Sequence, residues 1–141
     1  MTQQRTDPVV VVAGALVDEG RLLAARRSTP VELAGRWELP GGKREPGESS
    51  EEALVRELRE ELGVETEIGE RVPGEWVLKP GYVLWVWAVR LRSGRPEPRQ
   101  EHDELRWLTR DELDSVDWLD QDRPAVAEAA ARLLPAKSSA S

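Results

Sequence analysis

One stretch constrains this chain more than any other: Gly41 to Val64, GGKREPGESSEEALVRELREELGV. Two glycines and a Pro-Gly turn lead into a segment patterned as one amphipathic helix. Ser49 and Ser50 are natural N-cap residues, and Glu51 and Glu52 fall in the first turn, where carboxylates complement the helix dipole. Leu54, Leu58 and Leu62 recur every four residues and form a stripe for burial. Gly63 is placed to stop the helix in a left-handed cap. Beside the stripe stand Glu57, Glu60 and Glu61, neighbours on one helix face, with Glu48 where the helix begins. Carboxylates packed that closely repel unless a cation lies between them, and hard oxygen donors suit Mg2+ or Mn2+ rather than zinc. The same run also reads as a solvated face paired with Arg56 and Arg59.

Around this segment the chain alternates strands and helices. Val9 to Val17 is a β-branched run, a strand buried on both faces, and Asp18-Glu19-Gly20 turns it into a second strand, Arg21 to Arg27. A loop over 28–36 leads to a short strand, Trp37 to Pro40, that feeds the glycines. Val64 to Glu75 reads as an irregular strand interrupted at Gly69 and Pro73-Gly74. Tyr82 to Leu91, YVLWVWAVRL, is the strongest strand signal, aromatic and β-branched throughout. Leu105 to Leu108 is a further short strand, and Thr109 with Glu112 forms a capping box that starts a small helix. Pro124 begins a last helix with Val126, Ala130, Leu133 and Leu134 on its buried side. The expectation is one α/β layered domain over residues 8–134, with flexible ends at 1–7 and 135–141.

Composition narrows the function. Zero cysteines exclude disulfides and thiolate metal sites. A net charge of −7 argues against binding nucleic acid polymers. No apolar run is long enough to span a membrane, and the first residues lack a basic start with a cleavage site, so the expected location is cytoplasmic. A nucleophilic triad is not assembled by the single histidine, His102, which is expected on a loop surface, the alternative being that it assists Glu101.

The central stretch resembles the Nudix box of the Nudix hydrolases. That pattern is Gly, five residues, Glu, seven residues, Arg-Glu, an aliphatic, any residue, Glu-Glu, any residue, Gly, an aliphatic. Gly42, Glu48, Arg56, Glu57, Leu58, Glu60, Glu61, Gly63 and Val64 fill every specified position. Trp37-Glu38-Leu39-Pro40-Gly41-Gly42-Lys43 is similar to the approach to the box in the MutT branch.

The resemblance implies a Nudix fold, a mixed β-sheet sandwiched between α-helices, and hydrolysis of a phosphoanhydride in a small-molecule nucleotide. It implies Mg2+ or Mn2+ held by Glu57, Glu60, Glu61, the Gly41 carbonyl and Glu101, with Glu57 the leading general base. Arg27 and Lys43 match positions that contact polyphosphate, Asp122 one that reads the base, and Glu38 and Tyr82 are further substrate-binding candidates. Arg56 is expected to tie Glu48 and the loop to the helix, and Gly42 to supply a backbone geometry forbidden to other residues. Tyr82, Trp76, Trp85 and Trp87 are candidates for base stacking, with core packing the commoner fate.

Several substrate classes remain open under the resemblance. A nucleoside triphosphate pyrophosphohydrolase serving nucleotide pool sanitation leads, with monophosphate and pyrophosphate as products. Members that clear 8-oxo-dGTP carry Asn where this chain has Asp122, and an acceptor-only carboxylate suits the amino group of cytosine in CTP, dCTP or 5-methyl-dCTP. Asp122 also qualifies as the cap of the last helix. Pro80 and Tyr82 fit family markers for both ADP-ribose and dinucleoside polyphosphate hydrolases. A nucleotide-sensing domain that does not cleave is disfavoured by the intact glutamates. A monomer and a homodimer are both compatible.

Overall fold

The computed structural model describes residues 7–136. Most of both expected flexible ends, residues 1–6 and 137–141, lies outside the described residues. Seven strands form one connected sheet: β1 Val9–Asp18, β2 Arg21–Arg27, β3 Trp37–Glu38, β4 Gly41–Lys43, β5 Glu65–Lys79, β6 Tyr82–Ser93 and β7 His102–Leu108. Two helices flank it, α1 Ser50–Leu62 and α2 Arg123–Leu133.

β1 sits at the junction. Along Val9 to Leu16 it pairs in parallel with β6, while Val11 to Ala13 pair antiparallel with β4. Its last residues pass to β2, whose other edge carries β7. The two faces of β1 bury different side chains, as alternation requires. Val10, Val12 and Leu16 turn toward Ala53, Leu54, Leu58 and Leu62 of α1. Ala13 and Ala15 turn toward Trp118 and the α2 residues Ala125, Val126, Ala129 and Ala130. The sheet thus lies between the helices. Gly14 faces α1, where an added Cβ would come within 3.4 Å of Leu58 Cδ1 and 3.1 Å of Val89 Cγ2.

The local signals account for α1. Ser49 Oγ accepts from Glu52 N–H at 3.0 Å, and Glu52 accepts from Ser49 N–H at 2.8 Å, a reciprocal capping box. Gly63 closes the helix at φ 72°, the left-handed conformation glycine favours.

Other boundaries differ from the sequence expectation. β5 is not interrupted by Gly69 or Pro73-Gly74; register shifts between Ile68 and Arg71 and between Val72 and Trp76 absorb them while β6 continues the pairing. β7 begins at His102 instead of Leu105. The segment after Thr109 winds as a 3-10 turn, Arg110–Ser115, with no buried residue. Leu133 is only half-buried, and Ala125 and Ala129 complete the inner face of α2 instead.

Candidate functional site

A cavity of about 940 Å³ opens beside β4, roomy enough for a small-molecule ligand. Its wall gathers residues far apart in sequence: Arg27 ending β2, Glu38 on β3, Gly41 to Lys43 on β4, Glu57 and Glu61 on α1. Tyr82, Glu101 and Asp122 complete it.

The paired glycines make room on two sides, Gly41 for β1 and Gly42 for α1. A Cβ on Gly41 would collide with the Val12 carbonyl of β1, and one on Gly42 with the Glu57 carboxylate. Gly42 is thus required by close approach of a side chain, whereas the sequence suggested an unusual backbone geometry. Glu61 is buried, and its Oε1 accepts from Gly41 N–H at 2.8 Å. Burial pushes its carboxyl up to about 9 against that hydrogen bond, and the charges of Glu38, Glu57 and Glu101 add to the rise. Burial also raises Glu57, with Arg56 opposing and Glu60 and Glu101 reinforcing. Glu60 is half exposed on the flank, outside the cavity wall, 3.4 Å from Arg56.

Arg56 ties the loop to this face. Its Nε and Nη2 donate to the two oxygens of Glu48 at 2.7 and 3.0 Å, Nη2 reaches the Lys43 carbonyl at 3.2 Å, and Nη1 donates to Glu57 at 2.8 Å. The guanidinium holds Glu48 well below the usual carboxylate range, at about 2, helped by the Glu45 N–H.

Arg27 joins three groups. It donates to Glu38 Oε2 at 2.9 Å, to Glu101 Oε2 at 3.0 Å and to the Thr29 carbonyl at 2.9 Å. Burial works against its charge, but the two glutamates outweigh burial and raise its pKa. Lys43 lies 5.5 Å from the Tyr82 ring centroid, and Lys79, which sequence reasoning did not single out, lies 4.3 Å from it. Lys79 and Tyr82 face each other across the tight β5–β6 turn at Pro80-Gly81, a local turn signal that could have found the pair.

Two residues depart from expectation. His102 is buried at the start of β7, with its Nε2 2.8 Å from Glu38 Oε2, and not on a loop surface. Asp122 precedes α2 without capping it; its Oδ2 instead accepts from Leu39 N–H at 3.0 Å. Burial, reinforced by the charge of Glu38, pushes its carboxyl up to about 7, which brings the acceptor-only carboxylate and the acid that also donates close together in pH. Among the aromatic candidates, Tyr82 lines the cavity; Trp85 and Trp87 pack on the α1 side of the sheet, and Trp76 against the α2-side core.

Among the described residues, no three His, Cys, Asp or Glu side chains close on one point as a metal cage would. The donor chemistry nevertheless fits a hard divalent cation. Oxygen donors face one cavity, and Glu57 and Glu61 carry raised pKa values that a nearby cation would relieve.

A model of the NUDIX domain matches residues 6–133. A Mycobacterium tuberculosis protein carrying the provisional name 8-oxo-dGTP diphosphatase 2 is 46% identical over 127 residues, 88% of this chain and 89% of that protein. The CTP pyrophosphohydrolase of Escherichia coli is 41% identical over 106 residues, covering 74% of this chain and 78% of its own. The crystal structure of a MutT NUDIX hydrolase from Burkholderia pseudomallei superposes with a TM-score of 0.75 at 31% identity, over 87% of this chain and 98% of that one.

Proposed function

This chain belongs to the Nudix hydrolase family, nucleotide pyrophosphohydrolases that cleave phosphoanhydride bonds, and from that membership we propose that it converts a cytidine-type triphosphate to monophosphate and pyrophosphate. CTP, dCTP and 5-methyl-dCTP are the favoured substrates. Asp122 carries this reading: one oxygen is held by Leu39 N–H, and the other has no partner among the described residues and meets the cavity. An ionised carboxylate there accepts from the exocyclic amino group of cytosine.

Glu57, Glu61 and Glu101, with the Gly41 carbonyl, would hold Mg2+ or Mn2+, the kind of cofactor this family generally uses, and Glu60, outside the cavity wall on the same helix face, would join them only by swinging inward. Such a cation lowers the pKa of water and neutralises phosphate oxygens. The chain supplies the rest. Lys43 on β4 adds positive charge against the polyphosphate. Arg27 pins Glu38 and Glu101 in place. Glu57, raised by burial, is suited to take the proton from water as its oxygen bonds to phosphorus. The α–β anhydride P–O bond breaks in the same displacement, and pyrophosphate leaves with the electron pair.

A second reading rests on Asp122 as well. With its carboxyl up at about 7, a large share is protonated near neutrality and presents donor and acceptor together. That face suits an oxidised guanine, in keeping with the name of the 46% identical relative. A turnover screen separates the two: natural and oxidised triphosphates, ADP-ribose and diadenosine polyphosphates, with the parent and with Asp122→Asn. Cytidine triphosphates fastest in the parent, and a changed base ranking in the variant, support the proposal. A parent fastest on 8-oxo-dGTP overturns it.

A further inference from the structure

The β2–β7 pairing contains one irregularity, and it lies at the cavity. Arg26 pairs with Glu104, but the next residue, Arg27, pairs with His102, so one residue of β7 is passed over. A bulge of this kind re-aims a side chain. Here it turns His102 inward, with its side chain 0% exposed, while Asp103 reaches outward to Arg26 at 2.8 Å.

The imidazole meets a carboxylate on each side. Nε2 is 2.8 Å from Glu38 Oε2, the oxygen that also receives Arg27 Nη1 at 2.9 Å. An oxygen already accepting from a guanidinium is an acceptor here too, so the proton sits on Nε2. Nδ1 is buried without a hydrogen-bond partner among the described residues, 3.9 Å from Glu61 Oε2. A leucine would fill the same space without stranding a polar atom, so the histidine needs a reason other than packing.

We infer that His102 is a positioning residue: with Arg27 it clamps Oε2 of Glu38, leaving Oε1 as the oxygen presented to substrate. Glu38 Oε1 has no hydrogen-bond partner among the described residues, and the side chain lines the cavity. Two donors on one oxygen leave the carboxylate little freedom to turn. The clamp also joins the Glu38 wall of the cavity to the Glu61 wall, since one ring touches both. The inference rests on the triphosphate hydrolase reading for its kinetic effect, though not for the geometry.

The test is a double-mutant cycle on Glu38→Ala and His102→Leu, with His102→Gln as the conservative variant; Ala removes the acceptor, whereas Gln at 38 would keep one. His102→Leu removes the donor and should lower kcat/KM by about tenfold or more, mainly through KM, the scale on which supporting contacts act. His102→Gln keeps an N–H toward Glu38 and should recover most of the loss. In the Glu38→Ala background, His102→Leu should add little. Losses that multiply, or a His102→Gln no better than His102→Leu at equal Tm, overturn the inference. Imidazole 15N spectra of the parent and of Glu38→Ala give a second readout that needs no substrate and stands even where His102→Leu fails to fold. A proton on Nε2 is expected, with its resonance moved by Glu38→Ala; an Nδ1–H tautomer overturns the clamp. A parent that hydrolyses no triphosphate defeats the functional reading, and the spectra then decide the clamp alone.

Discussion

Glu61, near the end of α1, accepts a hydrogen bond from the backbone N–H of Gly41 at 2.8 Å, joining helix and sheet at the floor of the cavity. Gln at this position has the same shape and still accepts from Gly41 through its carbonyl oxygen. Glu61→Gln should therefore melt close to the parent while its turnover with Mg2+ or Mn2+ falls by about 10²-fold or more, the scale on which loss of one charge-stabilising group acts. Parallel thermal melts and steady-state kinetics check both halves. Unchanged turnover would remove Glu61 from the mechanism.

Arg56→Ala is expected to damage stability and activity together. The guanidinium satisfies both oxygens of Glu48, the Lys43 carbonyl and Glu57, so its loss leaves several partners unpaired at once. The expected outcome is a Tm lower by several degrees, with a loss of kcat/KM beyond what the unfolded fraction explains. A variant as active and as heat-resistant as the parent would make Arg56 a bystander.

Gly42→Ala separates close approach from backbone strain. The added methyl would overlap the Glu57 carboxylate, the far end of a side chain that can shift. Tm should fall only slightly while kcat drops, because displacement of Glu57 matters to chemistry more than to packing. A large loss of stability with normal specific activity of the folded fraction would locate the constraint in the backbone instead.

What the sequence showed and what it hid divide along one line: local signals were legible, pairings were not. The N-cap candidates Ser49 and Ser50, the stripe at Leu54, Leu58 and Leu62 and the left-handed Gly63 are properties of consecutive residues, and α1 follows from them. The strand Val9–Asp18 announced burial on both faces through its unbroken apolar run. β5 read as broken because Gly69 and Pro73 disfavour a strand alone, yet β6 supplies partners that carry it through. His102 read as exposed because its burial depends on a bulge against Arg27, a contact 75 residues distant that no local pattern encodes. The carboxylates of the box were identifiable from spacing; that Glu38 joins them through Arg27 and His102 needed the fold.

The last prediction concerns pH. Burial raises the Asp122 carboxyl from the ordinary range near 4 to about 7 in the folded chain. A group whose folded pKa lies above its unfolded value stabilises most below the unfolded pKa, and that contribution is lost as pH rises through the folded one. Between about pH 4 and 7 the parent should therefore lose stability relative to Asp122→Asn, which cannot ionise and still offers its carbonyl oxygen to Leu39 N–H. Denaturant unfolding of both proteins across that window checks the sign, and parallel curves would show that Asp122 does not titrate there. The same protonation should reach the substrate. Above pH 7 the carboxylate only accepts, which favours an amino group on the base; below it the acid also donates, which favours a base edge with a carbonyl. The ratio of kcat/KM for dCTP over 8-oxo-dGTP should accordingly rise as pH passes through 7 in the parent, and stay flat in Asp122→Asn. A ratio that moves equally in both would place base selection in some other group of the cavity.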